Sequence, residues 1–156
     1  MPSPAGADIS AQLIDPRGPR FAAAVTAVLL AAALALGPVL GWPVLLGQTL
    51  AFAAGSLFGL RYQPWAWVFR VAVRPRLAPP AALEDARPPR FAQTVGLLFG
   101  LAGLLGAAAA PALFYVAGGF ALVAAVLNAV FDYCLGCEIY LLGRRVFTHA
   151  ATGTAR

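Results

Sequence analysis

The chain has 156 residues, 61% of them hydrophobic and only 11% charged, with a mean hydropathy of +0.80. A soluble domain carries about 45–50% apolar and about 25% charged residues, so these side chains cannot clothe a water-facing surface, and an integral membrane domain is expected instead. The net charge of +5 does not point to nucleic acid: all eleven basic residues are arginines in connecting segments, where they read as anchors facing anionic lipid.

Residues 1–14 read as a mobile tail of Pro, Ser, Ala and Gly character. The membrane domain is expected over 15–146, and 147–156 as a second mobile tail carrying the only histidine, His149. The first uncharged run covers 21–40, about 30 Å as a helix, enough to cross the hydrocarbon core. Gly37-Pro38 and Gly41-Trp42-Pro43 punctuate a tight turn, and the chain returns over 44–60 to stop at Arg61.

The stretch from Tyr62 to Arg90 mixes aromatics with arginines and six prolines. It predicts an interfacial segment in a cytoplasmic middle loop. Trp65 and Trp67 are expected at headgroup depth, and Arg70 and Arg74, four residues apart, on one face. Third and fourth spans are expected over 91–110 and 112–133, parted by Pro111.

Orientation follows from the arginines. Two precede the first span, six lie in the middle loop and three follow the last span, whereas the two short turns hold none. The positive-inside rule therefore puts both termini and the middle loop in the cytoplasm.

Arg17 and Arg20 before an apolar run also resemble a cleavable secretory signal. An internal repeat argues against that. Asp15-Pro16-Arg17-Gly18-Pro19-Arg20-Phe21-Ala22 recurs as Asp85-Ala86-Arg87-Pro88-Pro89-Arg90-Phe91-Ala92, and each copy precedes a long apolar run. The fold expected is all-α, with four transmembrane helices arranged as two repeated hairpins, both entered from the cytoplasm. Gly96, Gly100 and Gly103 form one small-residue stripe and Gly55 and Gly59 another, suited to close helix packing within a subunit or to a subunit interface.

The chemistry is concentrated in Asp132-Tyr133-Cys134-Leu135-Gly136-Cys137-Glu138-Ile139-Tyr140. Two cysteines three apart share a helix face, with Cα atoms about 5 Å apart, inside the range a disulfide bridges. In a cytoplasmic setting such a pair reads as redox or metal chemistry, or else as two small side chains packing in a membrane helix. A closed zinc site needs four ligands, and only His149 is at hand besides the pair, so no metal is assigned. No cofactor motif is present. The pair is expected towards the C-terminal end of a helix, beside Asp132 and Glu138, all of which disfavour a thiolate. Such a couple is expected on the reducing side, nearer thioredoxin's about −270 mV than the about −120 mV of strong oxidants.

The two Arg-x-Pro-Arg-Phe entrances, at Arg17 to Phe21 and Arg87 to Phe91, Asn128, and the Cys-x-Gly-Cys-Glu-x-Tyr run at Cys134 to Tyr140 resemble the bacterial membrane family catalogued as domain of unknown function 4395. The resemblance covers about residues 10–146. It implies a four-helix protein of the bacterial inner membrane, often encoded near thioredoxin-like proteins and sulfurtransferases. Those are the partners expected in addition to the lipid bilayer, and a homo-oligomer remains open. The leading expectation is thiol redox or sulfur relay through Cys134 and Cys137, with Asp132 and Glu138 as modulators. A transporter of small solutes or sulfur species, and a non-catalytic adaptor docking a soluble partner through Trp65, Trp67 and the arginines, are the alternatives.

Overall fold

The computed structural model describes residues 13–153, with side chains as far as Phe147. A two-residue strand β1 (Leu13–Ile14) precedes α1 (Arg17–Ala53), which continues through a wider π-helical turn, Ala54–Phe58. A short helix α2 (Pro64–Val68) follows, then strand β2 (Glu84–Asp85), α3 (Arg87–Ala109), α4 (Pro111–Phe131) and α5 (Leu135–Gly153). Three stretches are long and apolar enough to cross a membrane: Arg17–Phe58, Arg87–Ala109 and Pro111–Phe131. Their outward side chains are apolar as well, with Leu50, Leu98, Leu105 and Phe120 all more than 60% exposed. The protein is an all-α membrane protein whose outer surface suits lipid.

The first stretch, 42 residues long, does not run straight. Gly37 has φ 75° and ψ 177°, a conformation open to glycine and strained for any residue with a Cβ. The chain reverses there, so that Gly41 packs directly on the backbone carbonyl of Ala33. The buried Gln48 Nε2 donates to Thr26 Oγ1 at 3.0 Å, although those residues are 22 apart, about 33 Å along a straight helix. Two antiparallel limbs result, residues 17–36 and 38–58. Of the two points expected to punctuate this turn, Gly37-Pro38 makes it, short of the span end expected at residue 40, and Pro38 and Pro43 belong to the returning limb, Pro38 at its start where a missing N–H costs no bond. A second reversal comes at Ala110, in extended conformation, with Pro111 as the first residue of α4. Close approach recurs there: a Cβ on Gly106 would lie 2.8 Å from the Leu113 carbonyl carbon.

The four limbs close into a ring. The first packs on α4 through Leu30, Ala33, Phe114 and Ala121, with Leu45 of the second limb completing the core. The small residues of α3 face the second limb. A Cβ on Gly96 would meet Phe52 at 2.7 Å and one on Gly103 would meet Leu45 at 2.9 Å, with Thr49 opposite Gly100 between them. This stripe is thus used within the chain, where it lets two backbones close in. Gly55 is covered by Gln93, but Gly59 is not part of a stripe. Its φ of 104° ends the helix, and nothing lies within 4 Å of a Cβ built there.

The two helix entrances are built alike. Asp15 accepts from the Arg17 backbone N–H at 3.0 Å and from its Nη2 at 2.8 Å, and Asp85 accepts from Arg87 N–H at 2.9 Å and Nη2 at 2.7 Å. A carboxylate here satisfies an orphan donor at the positive end of the helix. The short strands join the entrances in an antiparallel pair, Leu13 opposite Asp85 and Ile14 opposite Glu84. Leu13 and Ile14, expected in the tail, are therefore ordered in this pair, whereas the tail over 1–12 lies outside the described residues. Arg20 and Arg90 reach further. Arg20 Nε donates to the carbonyl of Ala129 at the end of α4 at 3.0 Å, and Arg90 Nε donates to that of Ser56 at the end of the second limb at 2.9 Å. Each satisfies carbonyls that the end of a helix leaves bare.

The middle loop differs from a plain interfacial anchor. Trp67 is exposed, but Trp65 is half-buried, and its Nε1 donates to Gln48 Oε1 at 3.1 Å, inside the first hairpin. Trp65 is tied to the bundle because Gln48 needs a donor that the apolar limbs do not supply.

Candidate functional site

α4 stops at Phe131, two residues short of the expected span. Asp132 adopts the left-handed conformation, φ 56° and ψ 28°, and the Tyr133 N–H reaches back to the Leu127 carbonyl at 3.2 Å. This is a Schellman-type ending, and Asp is among the few non-glycine residues that take it readily. α5 begins immediately afterwards and runs on to Gly153, so the segment from 147, expected to be a mobile tail, is helical that far.

The cysteines stand at the start of α5. The Cys134 carbonyl accepts the first helical bond, from Glu138 N–H at 3.0 Å, and Cys134 Sγ accepts from the Cys137 N–H at 3.3 Å. Cys134 is therefore the N-cap and Cys137 the third residue of the helix. Their Cα atoms are 5.2 Å apart, and the two are joined as a disulfide. This corrects the expectation of one continuous helix with the pair near its C-terminus. The break falls at Asp132, so the pair stands at the positive, N-terminal end of α5 and not at the negative end of α4. Asp132 and Glu138 are exposed to either side of the pair, where solvent screens them. Gly136 has a separate purpose: a Cβ there would lie 2.7 Å from Ala92, so the glycine lets α5 lie flat on α3.

Cys134 also lines a cavity of about 280 Å³ between the limbs. Phe52, Phe99 and Phe120 supply apolar walls, and Thr26, Gln93 and Asn128 supply polar points. Asn128 would face away from the cysteines on a continuous helix; the break brings both to one cavity. Gln93 Oε1 is buried with no partner among the described residues. Sequence reasoning passed over Gln93. Its position one residue after the repeated Arg-Phe-Ala, among apolar neighbours, was the available signal. Among the described residues, no three or more His, Cys, Asp or Glu side chains cluster to hold a metal ion, and the His149 side chain lies outside them.

A second cavity, about 240 Å³, lies under the middle loop. Arg70 and Arg74, expected as membrane-interface anchors, line it together with Arg61 and Gln63. Asp15 is at its edge, where the guanidinium of Arg17 holds its carboxyl below the usual range; Arg87 does the same for Asp85.

No curated protein and no solved structure matches this chain. A family model described as domain of unknown function (DUF4395) matches residues 14–145, from β1 through the cysteine pair to the double arginine of α5. The chain belongs to that family.

Proposed function

We propose that the protein is a four-span bacterial inner-membrane thiol carrier, with both termini cytoplasmic, that passes electrons or sulfur through Cys134 and Cys137. The observation that carries the reading is the placement of Cys134 at the N-cap of α5, bordering a cavity, with Cys137 within bonding reach. In the redox form of the reaction the dithiol gives up two electrons and two protons as the disulfide forms. The electrons pass to a disulfide of a thioredoxin-like partner, which is reduced to its dithiol. The reverse direction regenerates the carrier.

The helix-start position changes the expected potential. A stabilised Cys134 thiolate stabilises the reduced form, so the couple is more oxidising than thioredoxin's about −270 mV. Alkylation of the purified protein after equilibration in graded glutathione or dithiothreitol buffers measures it. A midpoint at or below the thioredoxin value would contradict this account of Cys134, and failure of the pair to form the bond at any potential would end the redox reading.

The four-span arrangement rests on the reversal at Gly37, which makes two crossings of the first apolar stretch. The two-hairpin repeat is supported by matched details. Phe21 packs on Phe69 with ring centroids 5.8 Å apart, and Phe91 packs on Tyr140 at 5.7 Å. Gln63 caps α2 through Ala66 N–H, as Cys134 caps α5 through Cys137 N–H. The antiparallel strand pair sets Ile14 opposite its repeat equivalent Glu84, as a two-fold axis along the membrane normal requires. In this reading α2 and its continuation in the first half answer to α5 in the second, and the cysteines occupy the place of Gln63 and Ala66.

The cavity beside Cys134 favours a second reading, passage of a small solute or sulfur species. Uptake into proteoliposomes that persists in a Cys134→Ser, Cys137→Ser variant would select it over the carrier.

A further inference from the structure

The geometry points to a binding site for a phosphate-bearing anion in the cavity beneath the middle loop, which adjoins the cysteine cavity and shares Pro19 and Gln93 with it. Three cations line it: Arg61, Arg70 and Arg74. The one carboxylate at its edge, Asp15, is held by Arg17 through two side-chain bonds, at 3.0 and 2.8 Å, and its field also reaches Arg74, but a single carboxylate leaves the arginines in excess. Three arginines gathered about a small cavity repel one another, and an anion among them removes that cost.

A second observation is independent of charge. Gln63 also lines this cavity and is 1% exposed. Its Oε1 is committed to the Ala66 N–H at 2.6 Å, which fixes which end of the amide carries the hydrogens, while its Nε2 is buried with no partner. A buried donor without an acceptor is destabilising, because it has given up its bond to water and gained none in return. What the Gln63 amide lacks is thus an acceptor, while the cavity also holds the unpartnered acceptor Gln93 Oε1, and what its rim offers is positive charge. A phosphate oxygen supplies both, taking the Gln63 hydrogen and the guanidinium forks together.

Leu13, Ile14, Leu60 and Phe69 are among the other lining residues and suit the glycerol and first methylenes of a lipid. The shared chemistry is a phosphate group, from an anionic lipid headgroup or from free phosphate.

The test uses the full-length protein in neutral maltoside detergent, followed by thermal unfolding. Phosphatidylglycerol, phosphatidylcholine and inorganic phosphate are titrated separately. The expected result is a saturable rise in unfolding temperature with phosphatidylglycerol and little with phosphatidylcholine. In an Arg61→Gln, Arg74→Gln variant the half-saturating concentration should increase by about tenfold or more, as the loss of charge-assisted bonds implies. Gln63→Glu keeps the α2 cap and supplies the anion from within. It should fold at least as stably without lipid and lose the lipid-dependent rise. A rise with inorganic phosphate that phosphatidylglycerol does not surpass assigns the site to a free anion. No rise with either, an equal rise with phosphatidylcholine, or a full response in Gln63→Glu overturns the proposal.

Discussion

Asp15 and Asp85 each begin a long helix by taking the backbone and side chain of the arginine two residues on. Their carboxyls are held below the usual range chiefly by those side-chain hydrogen bonds. The sign follows: a carboxyl lowered in the folded state contributes stability above its unfolded value, about 3.9, and that contribution is lost as pH falls through the folded value. Unfolding temperature should therefore decline below about pH 4 in the native protein. Asp15→Asn and Asp85→Asn should be less stable at pH 7, with a smaller acid-dependent decline, and a pH scan of thermal unfolding checks both. These entrances were legible as a repeated motif. The partners of Arg20 and Arg90 were not, because they are carbonyls far along the chain, and nothing in a local pattern names a distant helix end.

The decisive break between α4 and α5 rests on one dihedral pair. Hydropathy is indifferent to it, since apolar and polar residues flank Asp132 much as they would in one long helix. Asp followed by an aromatic is compatible with a left-handed ending, but Asp sits as readily at the membrane edge of a continuing helix. The position of the pair on its helix was thus misread, while its spacing was read correctly. Substitution tests the break directly. Asp132→Gly and Asp132→Asn should keep the thiol midpoint, because both residues tolerate the left-handed conformation. Asp132→Val should destabilise the protein by about 1–2 kcal/mol and move the midpoint to more negative values as the break is opposed. Gly136→Val should part α5 from α3 by overpacking against Ala92, at about 1–3 kcal/mol. Redox titration with thermal unfolding separates the two effects.

For the whole molecule, alternation of apolar runs and arginine-bearing connections was enough to expect helices that cross a membrane and a small-residue stripe that joins them. The exact place of each reversal was set by Gly37 and Ala110, and the inward turn of Trp65 by a single glutamine. Topology reporters after residue 156 or near Ala81 should read as cytoplasmic and one near Gly41 as external; a cytoplasmic reading at Gly41 would exclude two crossings by the first stretch. Arg20→Gln and Arg90→Gln should each lower stability, because each leaves the end of a helix in the opposite hairpin with bare carbonyls.

That last exchange carries a consequence for ancestry and assembly. In the two-hairpin reading proposed above, each hairpin ends its return helix with an arginine borrowed from the other, so either half would be unfinished until a second half arrives. A single ancestral hairpin would have had the same need, met by an identical neighbour turned through half a revolution. On that reading the present chain would be such a dimer sewn into one polypeptide, with the middle loop as the seam. Cut near Ala81 and coexpressed, the two fragments should find each other in the membrane and restore the thiol couple, whereas either fragment expressed alone should be degraded.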